Sequence, residues 1–329
     1  MDFVFILQQT IISMIPLLIV ALGGVFAERS GIINLALDGE MIIGAFIGAI
    51  FVWNLVHFDA NFASEQWVYL LGMIVASIAG AIFSLLLSFS AVHLKANQTI
   101  GGTALNMLAP AIVCMFGLLF FNSERIVSGG SFIILKDSYP IWFQPAFDSW
   151  LGPLCSLLFD KIYLSTYLCL VLFALLSIWL YKSKTGIHLR ATGEHPQAVS
   201  SVGISVKKMR YLGTTISGAL AGLGGFVYIA TSAATTAENT VSGLGFLALA
   251  IMIFGNWSPL WIALGAFLFG FLKCLGVLSN SVSFLTTLGL PMYFYNSLPY
   301  VVVIIVLILT RKKSGAPKAA GIPFEEGER

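Results

Sequence analysis

Residues 4–53 read VFILQQTIISMIPLLIVALGGVFAERSGIINLALDGEMIIGAFIGAIFVW. Two apolar runs dominate this stretch, since Asp, Glu, Lys and Arg are absent from residues 3–27 and from residues 41–58. A helix that crosses a bilayer needs about 20 mostly apolar residues. The stretch therefore predicts two membrane spans joined by a short polar segment. The charged residues of that segment are Glu28, Arg29, Asp38 and Glu40.

The rest of the chain repeats this alternation of apolar runs and charged turns. The 17 basic and 15 acidic residues make up 10% of the 329 residues, against roughly 25% in a soluble domain. We therefore predict an all-α fold, a polytopic transmembrane helical bundle of about nine spans, within bounds of about eight and ten. The spans are expected near residues 4–26, 32–53, 67–90, 100–121, 162–181, 211–232, 243–255, 259–279 and 291–310.

Two of these spans carry signs of interruption. The second is predicted to be a broken helix, because Gly31 and Gly39 flank its polar residues and permit unwinding or close approach of a neighbouring helix. The seventh, 243–255, is short for a full crossing. The residues after it, Asn256-Trp257-Ser258-Pro259, are typical of a tight turn between helices or of a break within one.

Lys and Arg concentrate on the cytoplasmic side of membrane proteins, and this bias predicts the orientation. If residues 311–329 form a cytoplasmic tail, the alternation of spans places 13 of the 17 basic residues on that side and the N-terminus outside. Residues 1–310 then form a single transmembrane domain. It carries an external segment at 122–161 and a cytoplasmic loop at 182–210.

The external segment is rich in aromatic residues, which settle at membrane interfaces. This composition favours a short helix lying at the interface, and a docking surface for an external partner is the alternative. The aromatic residues concerned are Tyr139, Trp142, Phe143, Phe147 and Trp150.

Asp38 and Glu40 interrupt the second span. A charged side chain inside a bilayer costs about 2.5–3.5 kcal/mol on insertion scales, so both carboxyl groups should face protein or water. Asn34, Asp38 and Met41 are spaced to share one face of a helix. Asn34, Asp38 and Glu40 are therefore candidates for lining a substrate path. The alternative is that the two carboxylates cap a broken helix and never meet a substrate.

Two later spans contain residues with a predicted role in the substrate path or in helix packing. Asn106 is a further candidate for the substrate path, although a hydrogen bond across a helix interface is the more common role of an intramembrane Asn. Gly218, Gly222 and Gly225 lie at spacings of four and three residues. Such a stripe predicts close helix packing.

Several functional classes are excluded. The net charge of +2 gives no reason to expect nucleic acid as a partner. GxxxxGK[ST], HExxH and GxSxG motifs are absent from the sequence. The four cysteines lack companions at ligand spacing and are predicted to be apolar packing residues. We therefore expect no catalytic residue, no metal site, no cofactor and no enzymatic activity of the chain itself.

The cytoplasmic loop contains KSKTGIHLRATGEHPQAVSSVGISVKKMRY (182–211). A short helix is predicted from Glu194 to Val202, opened by Gly193, bounded by Gly203 and with Pro196 in its first turn. A loop that only fixed topology would need no more than its Lys and Arg residues. A helix between two basic clusters instead indicates a contact for another protein.

Three segments together resemble the membrane permeases of ABC-type importers for nucleosides, simple sugars and branched-chain amino acids. GVFAERSGIINLALDGEMIIGAF (24–46) is similar to an early signature of that family, HLKANQTIGGTALNML (93–108) to its LKxNxxI segment, and GIHLRATGEHPQAVSSVGI (186–204) to its cytoplasmic loop. The ERSG opening most resembles the nucleoside branch, which includes riboflavin importers. Asp38-Gly39-Glu40 stands where that branch commonly has Glu-Gly-Met, and His195 where the loop often has Asn.

The resemblance implies a set of partners and an inner-membrane location in bacteria. The partners are a second related permease chain, two cytoplasmic ATPase subunits that bind the ATP, a substrate-binding lipoprotein or periplasmic protein, and membrane lipid. The cytoplasmic loop is then the coupling helix that contacts the ATPase. By analogy, the residues that carry this contact are Arg190, Gly193, Glu194, Pro196 and Ala198.

The function expected from this resemblance is import of a nucleoside-like solute, a purine nucleoside or riboflavin first and a simple sugar next. A stand-alone secondary transporter or channel is the alternative. It would place charged residues in several spans and would not need the helix of the cytoplasmic loop. A membrane enzyme ranks third, because no cluster of His, Asp and Glu lies at a span end.

Overall fold

The computed structural model describes residues 2–135, 152–279, 291–310 and 315–325, and most of them are helical. Within these ranges, seven helices are long and apolar enough to cross a membrane. They are α1 (Asp2–Arg29), α2 (Leu37–Phe58), α3 (Gln66–Val92), α4 (Gln98–Phe121), α6 (Leu164–Lys182), α9 (Val206–Ser232) and α11 (Pro259–Leu278).

Shorter elements connect the long helices. The remaining helices are a 3-10 turn (Ala60–Ser64), α5 (Gly152–Phe159), α7 (Lys184–Glu194), α8 (Pro196–Ser201), α10 (Leu244–Phe254) and α12 (Met292–Thr310). Two antiparallel strand pairs are also present. β1 (Ile126–Val127) pairs with β4 (Thr236–Ala237), and β2 (Ile133–Ile134) pairs with β3 (Ile162–Tyr163).

The prediction of about nine spans is confirmed, because two shorter apolar helices, α10 and α12, accompany the seven long ones in the described part of the chain. α10 has 11 residues, which make about 16 Å of helix, or roughly half of a 30 Å bilayer core. The chain then turns at Asn256 and Trp257, whose φ angles are 49° and 56°. The interpretation of residues 256–259 as a tight turn between helices is therefore confirmed.

The second span begins later than predicted. α2 starts at Leu37 and not near residue 32, and residues 30–36 before it are not helical. Gly31 has a φ of 94°, which lies in the left-handed region that glycine enters without a steric penalty. The predicted break is present, but it separates α1 from α2. Asn34 therefore shares no helical face with Asp38 and Met41, and that prediction was wrong.

α9 lies at the centre of the bundle and packs against α1, α2 and α3. A Cβ atom built on Gly222 would lie 2.4 Å from the carbonyl oxygen of Ala76 in α3, and one built on Gly44 of α2 would lie 2.3 Å from the Cα of Gly222. A Cβ on Gly225 would lie 2.1 Å from the carbonyl oxygen of Met41. Both neighbouring helices thus touch the backbone of α9, and the predicted packing stripe is confirmed.

One end of the bundle is closed by residues 28–36, 184–210 and 315–325, which we call the base. The backbone N–H of Ala319 donates to the carbonyl of Gly193 at 2.8 Å, and that of Gly321 donates to the carbonyl of Gly31 at 3.2 Å. Phe324 packs with Val199 and Val206 in a small apolar cluster. Part of the predicted tail is therefore packed onto the bundle.

The external segment is described only in part. β1 pairs with β4, which ties the residues after α4 to those after α9. All five aromatic residues predicted to form an interfacial helix fall between residues 136 and 151, outside the described residues.

Replacing Gly222 by Ala should destabilise the bundle, because the added methyl group would collide with backbone atoms that cannot rotate away. Overpacking of this kind typically costs about 1–3 kcal/mol, so the thermal unfolding midpoint of the purified protein in detergent should fall by several degrees. Gly101→Ala is the matched control, since its methyl group would meet only side-chain atoms, Ser90 Oγ at 3.2 Å and Leu87 Cδ1 at 3.7 Å. Equal midpoints for the two variants would contradict the packing described here.

Candidate functional site

The segment between α1 and α2 is held by a buried network centred on Asn34. The Nδ2 atom of Asn34 donates to the two carboxyl oxygens of Glu40 at 3.1 and 3.0 Å and to Ser217 Oγ of α9 at 2.9 Å. Its Oδ1 atom accepts from the backbone N–H of Ala36 at 2.9 Å. Asn34, Glu40 and Ser217 are each 0% exposed. The side chain of Asn34 thus satisfies the backbone N–H of Ala36 and joins Glu40 to α9.

α4 supports the same segment from the other side. The backbone N–H of Ile33 donates to Gln98 Oε1 at 2.8 Å. Asn106 Nδ2 donates to the carbonyl of Leu35 at 2.5 Å, and Asn106 Oδ1 accepts from the N–H of Gly39 at 2.7 Å. The hydrogen bond across a helix interface predicted for Asn106 is therefore present, although its partners are backbone groups.

Asp38 lies in the first turn of α2 and faces the start of α10. Its Oδ1 atom accepts from the backbone N–H of Gly245 at 2.9 Å. Gly245 is the second residue of α10, so Asp38 supplies the acceptor that an N-cap side chain normally supplies. The alternative that Asp38 caps a helix therefore describes this contact. The helix that it caps is α10, and not the broken second span. Asp38 is half-buried, whereas Glu40 is fully buried.

The four residues predicted to line a substrate path are therefore brought together around one non-helical segment. Three of them, Asn34, Glu40 and Asn106, make hydrogen bonds within the protein. Asp38 is the more exposed of the two acidic residues. Their role in a substrate path stays a prediction.

The cytoplasmic loop is more helical than predicted. α7 covers residues 184–194, with the Ser183 Oγ atom accepting from the N–H of Gly186 at 3.0 Å as its N-cap. His195 separates α7 from α8, and Pro196 is the first residue of α8. The first-turn position of Pro196 is thus confirmed. The predicted helix from Glu194 to Val202 was wrong at its start, since Glu194 ends α7, and the α8 helix itself ends at Ser201.

The five residues predicted to contact an ATPase fall into two groups. Ala198 is exposed and Glu194 is partly exposed, with 38% of its side-chain surface free. Arg190, Gly193 and Pro196 face the protein: the guanidinium of Arg190 lies 4.8 Å from the centre of the Tyr181 ring, and Gly193 and Pro196 are buried.

Gly193 and Glu194 attach the end of α7 to the end of α1. A Cβ atom built on Gly193 would lie 2.5 Å from the carbonyl oxygen of Arg29, so only glycine permits this approach. The side chain of Glu194 pairs with Arg29 Nη1 at 3.4 Å. Because residues 30–36 follow Arg29 directly, α7 and the non-helical segment share one attachment point.

Several residues of the base were not identified from the sequence. Arg210 of α9 is 1% exposed and donates through Nη2 to the carbonyl of Ile322 at 2.9 Å. Trp257 Nε1 donates to Glu28 Oε2 at 2.6 Å, which ties the end of α10 to α1. Gly315 N–H donates to Asn256 Oδ1 at 2.5 Å. The position of Arg210 next to a span end predicted only a topological role. The turn signal at residues 256–259 predicted no partner for Trp257, and no local motif marked residues 315–325.

Replacing Asn106 by Leu should loosen residues 33–41, because the carbonyl of Leu35 and the N–H of Gly39 would lose their partner inside the protein. A buried backbone group without a partner costs about 1–3 kcal/mol. Hydrogen exchange of peptides covering residues 33–41 should therefore become faster. Asn54→Leu is the control, because Asn54 is exposed and bonds only to the carbonyl of Ile50 in its own helix. Unchanged exchange in the Asn106 variant would show that these two bonds do not hold the segment.

Comparison with known proteins agrees with the three sequence motifs. Over 98% of its length the chain is 35% identical to the guanosine ABC transporter permease protein NupQ of Bacillus subtilis (strain 168), of which it covers 97%. It is 33% identical over 97% of its length to the nucleoside ABC transporter permease protein NupC of Lactococcus lactis subsp. cremoris (strain MG1363), of which it covers 96%. No solved structure matches the chain.

The family comparison covers nearly the whole transmembrane bundle. Residues 6–310 match the family described as the permease component of the branched-chain amino acid transport system. The matched range includes the non-helical segment 30–36, the helices α7 and α8, and the half-length helix α10. The chain therefore belongs to this family of transport permease components.

Proposed function

We propose that the chain is the membrane-spanning permease subunit of an ATP-binding-cassette importer that carries nucleosides into the cytoplasm. The observation that carries the proposal is the similarity over nearly the full length to NupQ and NupC, at 35% and 33% identity. Both proteins are named as nucleoside permeases, one of them for guanosine. The chain then moves the solute, and a partner subunit binds and hydrolyses ATP.

The proposed complex contains two ATPase subunits, a second related permease chain and a substrate-binding lipoprotein or periplasmic protein. We place it in the bacterial inner membrane, with the base and residues 315–325 on the cytoplasmic side. The basic residues support this orientation, since Arg29, Lys95, Arg190 and Arg210 all make contacts at the base or next to it.

α8 and the turn before it form the proposed contact with the ATPase. His195, Ala198 and Val202 are exposed at this point, Val202 to 71%. The neighbouring residues that face the bundle are closely packed: Gly193 contacts Arg29, and Val199 packs with Phe324. Close-packed contacts transmit displacement. A movement of α8 caused by the ATPase would therefore shift the end of α1 and residues 30–36.

α10 provides a second connection from the base to the middle of the bundle. The turn that follows it is tied to α1 through Trp257 and Glu28, and its first turn is tied to α2 through Gly245 and Asp38. We propose that the solute passes Asp38, and that Asn34, Glu40 and Asn106 keep residues 30–39 in shape. ATP-driven closure of the ATPase pair would then change the population of outward-facing and inward-facing states through these two connections.

The central experiment measures uptake of radiolabelled guanosine by vesicles that contain the permease pair, its ATPase subunits and its binding protein. We expect uptake that requires ATP inside the vesicle and both permease chains. Uptake of the same rate by this chain alone would contradict the proposal and favour a stand-alone transporter.

Replacing Glu194 by Lys should abolish ATP-driven uptake, because two cations would face each other where Glu194 and Arg29 now pair at 3.4 Å. The variant should still insert into the membrane, since Glu194 is partly exposed at the base. Glu65→Lys makes the same charge change at an exposed residue before α3 and serves as the control. Normal uptake by the Glu194 variant would show that the end of α7 does not couple the ATPase to the transmembrane helices.

Replacing Ala198 by Arg tests the docking surface without touching the packed side of α8. The side chain of Ala198 is exposed, so folding and thermal stability should be unchanged. A bulky cation at the centre of a protein interface should lower co-purification of the ATPase and the uptake rate by about 10-fold or more. Ser64→Arg, at an exposed position of the 3-10 turn, should change neither. Full ATPase recovery with the Ala198 variant would place the contact elsewhere.

A further inference from the structure

A polar cluster surrounds the start of α10, where five segments of the chain converge inside the bundle. Each member comes from a different element: α2, α9, the residue pair before α10, α11 and α12. The members are Asp38, Tyr228, Ser242, Lys273 and Tyr300. Lys273 is the 15th residue of α11, about 21 Å of helix from Pro259. Lys273 thus lies within the predicted span 259–279, five residues before the end of α11 at Leu278.

Hydrogen bonds fix both phenol groups of the cluster. The hydroxyl of Tyr228 lies 3.1 Å from Ser242 Oγ, and the hydroxyl of Tyr300 donates to the carbonyl of Ser242 at 3.0 Å. The ammonium of Lys273 lies 5.3 Å from the centre of the Tyr228 ring, within the range of a cation–π contact. The Tyr228 ring thus contacts the ammonium group, and Ser242 bonds to both phenol hydroxyls.

The cluster contains one acidic and one basic side chain, Asp38 and Lys273, which do not form an ion pair. The carboxyl of Asp38 and the ammonium of Lys273 interact electrostatically, but no direct ion pair joins these two described residues. Asp38 uses one oxygen for the N–H of Gly245, and a carboxylate has further lone pairs to offer. The cluster can be reached from outside the protein, since Ser242 is exposed and Tyr300 is 47% exposed.

Guanine is the nucleobase that best matches a carboxylate acceptor and an ammonium donor that lie near each other. It presents two donors, N1–H and the 2-amino group, along one edge, and two acceptors, O6 and N7, along another. A carboxylate accepts from the donor edge, a lysine ammonium donates to the acceptor edge, and tyrosine rings stack on the base. Adenine has a single amino group between two ring nitrogens, so it lacks a two-donor edge.

We propose that this cluster is the solute-binding site of the permease, in which Asp38 and Lys273 hold the two edges of a guanine base between Tyr228 and Tyr300. The inference rests on the proposed function, since it names the part of the solute that the permease recognises. It also gives a reason for a cation and an anion to lie near each other within predicted spans, where each alone would be costly.

The test uses the complete importer complex and the photoreactive probe 8-azidoguanosine. Labelling should map to peptides that contain Tyr228, Lys273 or Tyr300, and unlabelled guanosine should prevent it. Lys273→Met removes the cation but keeps the chain length of the side chain. The guanosine concentration needed for half-displacement should rise by about 10-fold or more, as expected for the loss of a charge-assisted hydrogen bond. The corresponding concentration for adenosine should change by less than about 3-fold.

Two further variants separate recognition from folding. Lys273→Arg keeps the positive charge and should recover much of the guanosine affinity. Lys161→Met makes the same substitution as the test variant at an exposed lysine between α5 and β3, and it should behave as the wild type.

Labelling confined to other peptides would overturn the inference, as would equal losses for guanosine and adenosine in Lys273→Met. In both cases ATP-driven guanosine uptake by the wild-type complex would leave the proposed function intact. Failure of the wild-type complex to import guanosine under any condition would instead refute the proposed function itself.

Discussion

Backbone that leaves the helical form inside an apolar bundle must find hydrogen-bond partners within the protein, and residues 30–36 meet this demand with side chains from other helices. Gln98 and Asn106 of α4 bond to the backbone of Ile33 and Leu35. The side chain of Asn34 in turn bonds to Glu40 of α2 and Ser217 of α9. Because each partner belongs to a different part of the chain, the segment fixes α2, α4 and α9 relative to one another. The positions of Asp38 and of the α10 start follow from that arrangement.

The number and approximate position of the spans could be predicted from the sequence, because apolar runs of sufficient length have few other structures open to them. The stripe of Gly218, Gly222 and Gly225 could also be predicted, since small residues at helical spacing have a local meaning. The unwound segment could be predicted only in outline. Residues 31–37, GIINLAL, are as apolar as a membrane-spanning helix. The partners that stabilise their non-helical form lie far away in the sequence.

The candidate sites illustrate the same limit. Asp38 could be singled out, because a carboxylate within a span is costly and demands a reason. Lys273 carried no functional prediction, because its contact with Tyr228 and its electrostatic interaction with Asp38 depend on how α9, α2 and α11 pack. The loop helix α8 was predicted from Pro196 and two glycines. α7 was missed although Ser183 three residues before Gly186 is a usable capping signal.

Residues 315–325 add a consequence for biosynthesis. They are translated after every segment that they contact at the base, namely the residues around Gly31, Gly193 and Arg210. In a nascent chain that has just inserted α12, the guanidinium of Arg210 and the carbonyl groups of Gly31 and Gly193 therefore still lack these partners. Closure of the base has to be a late, post-insertion step in maturation.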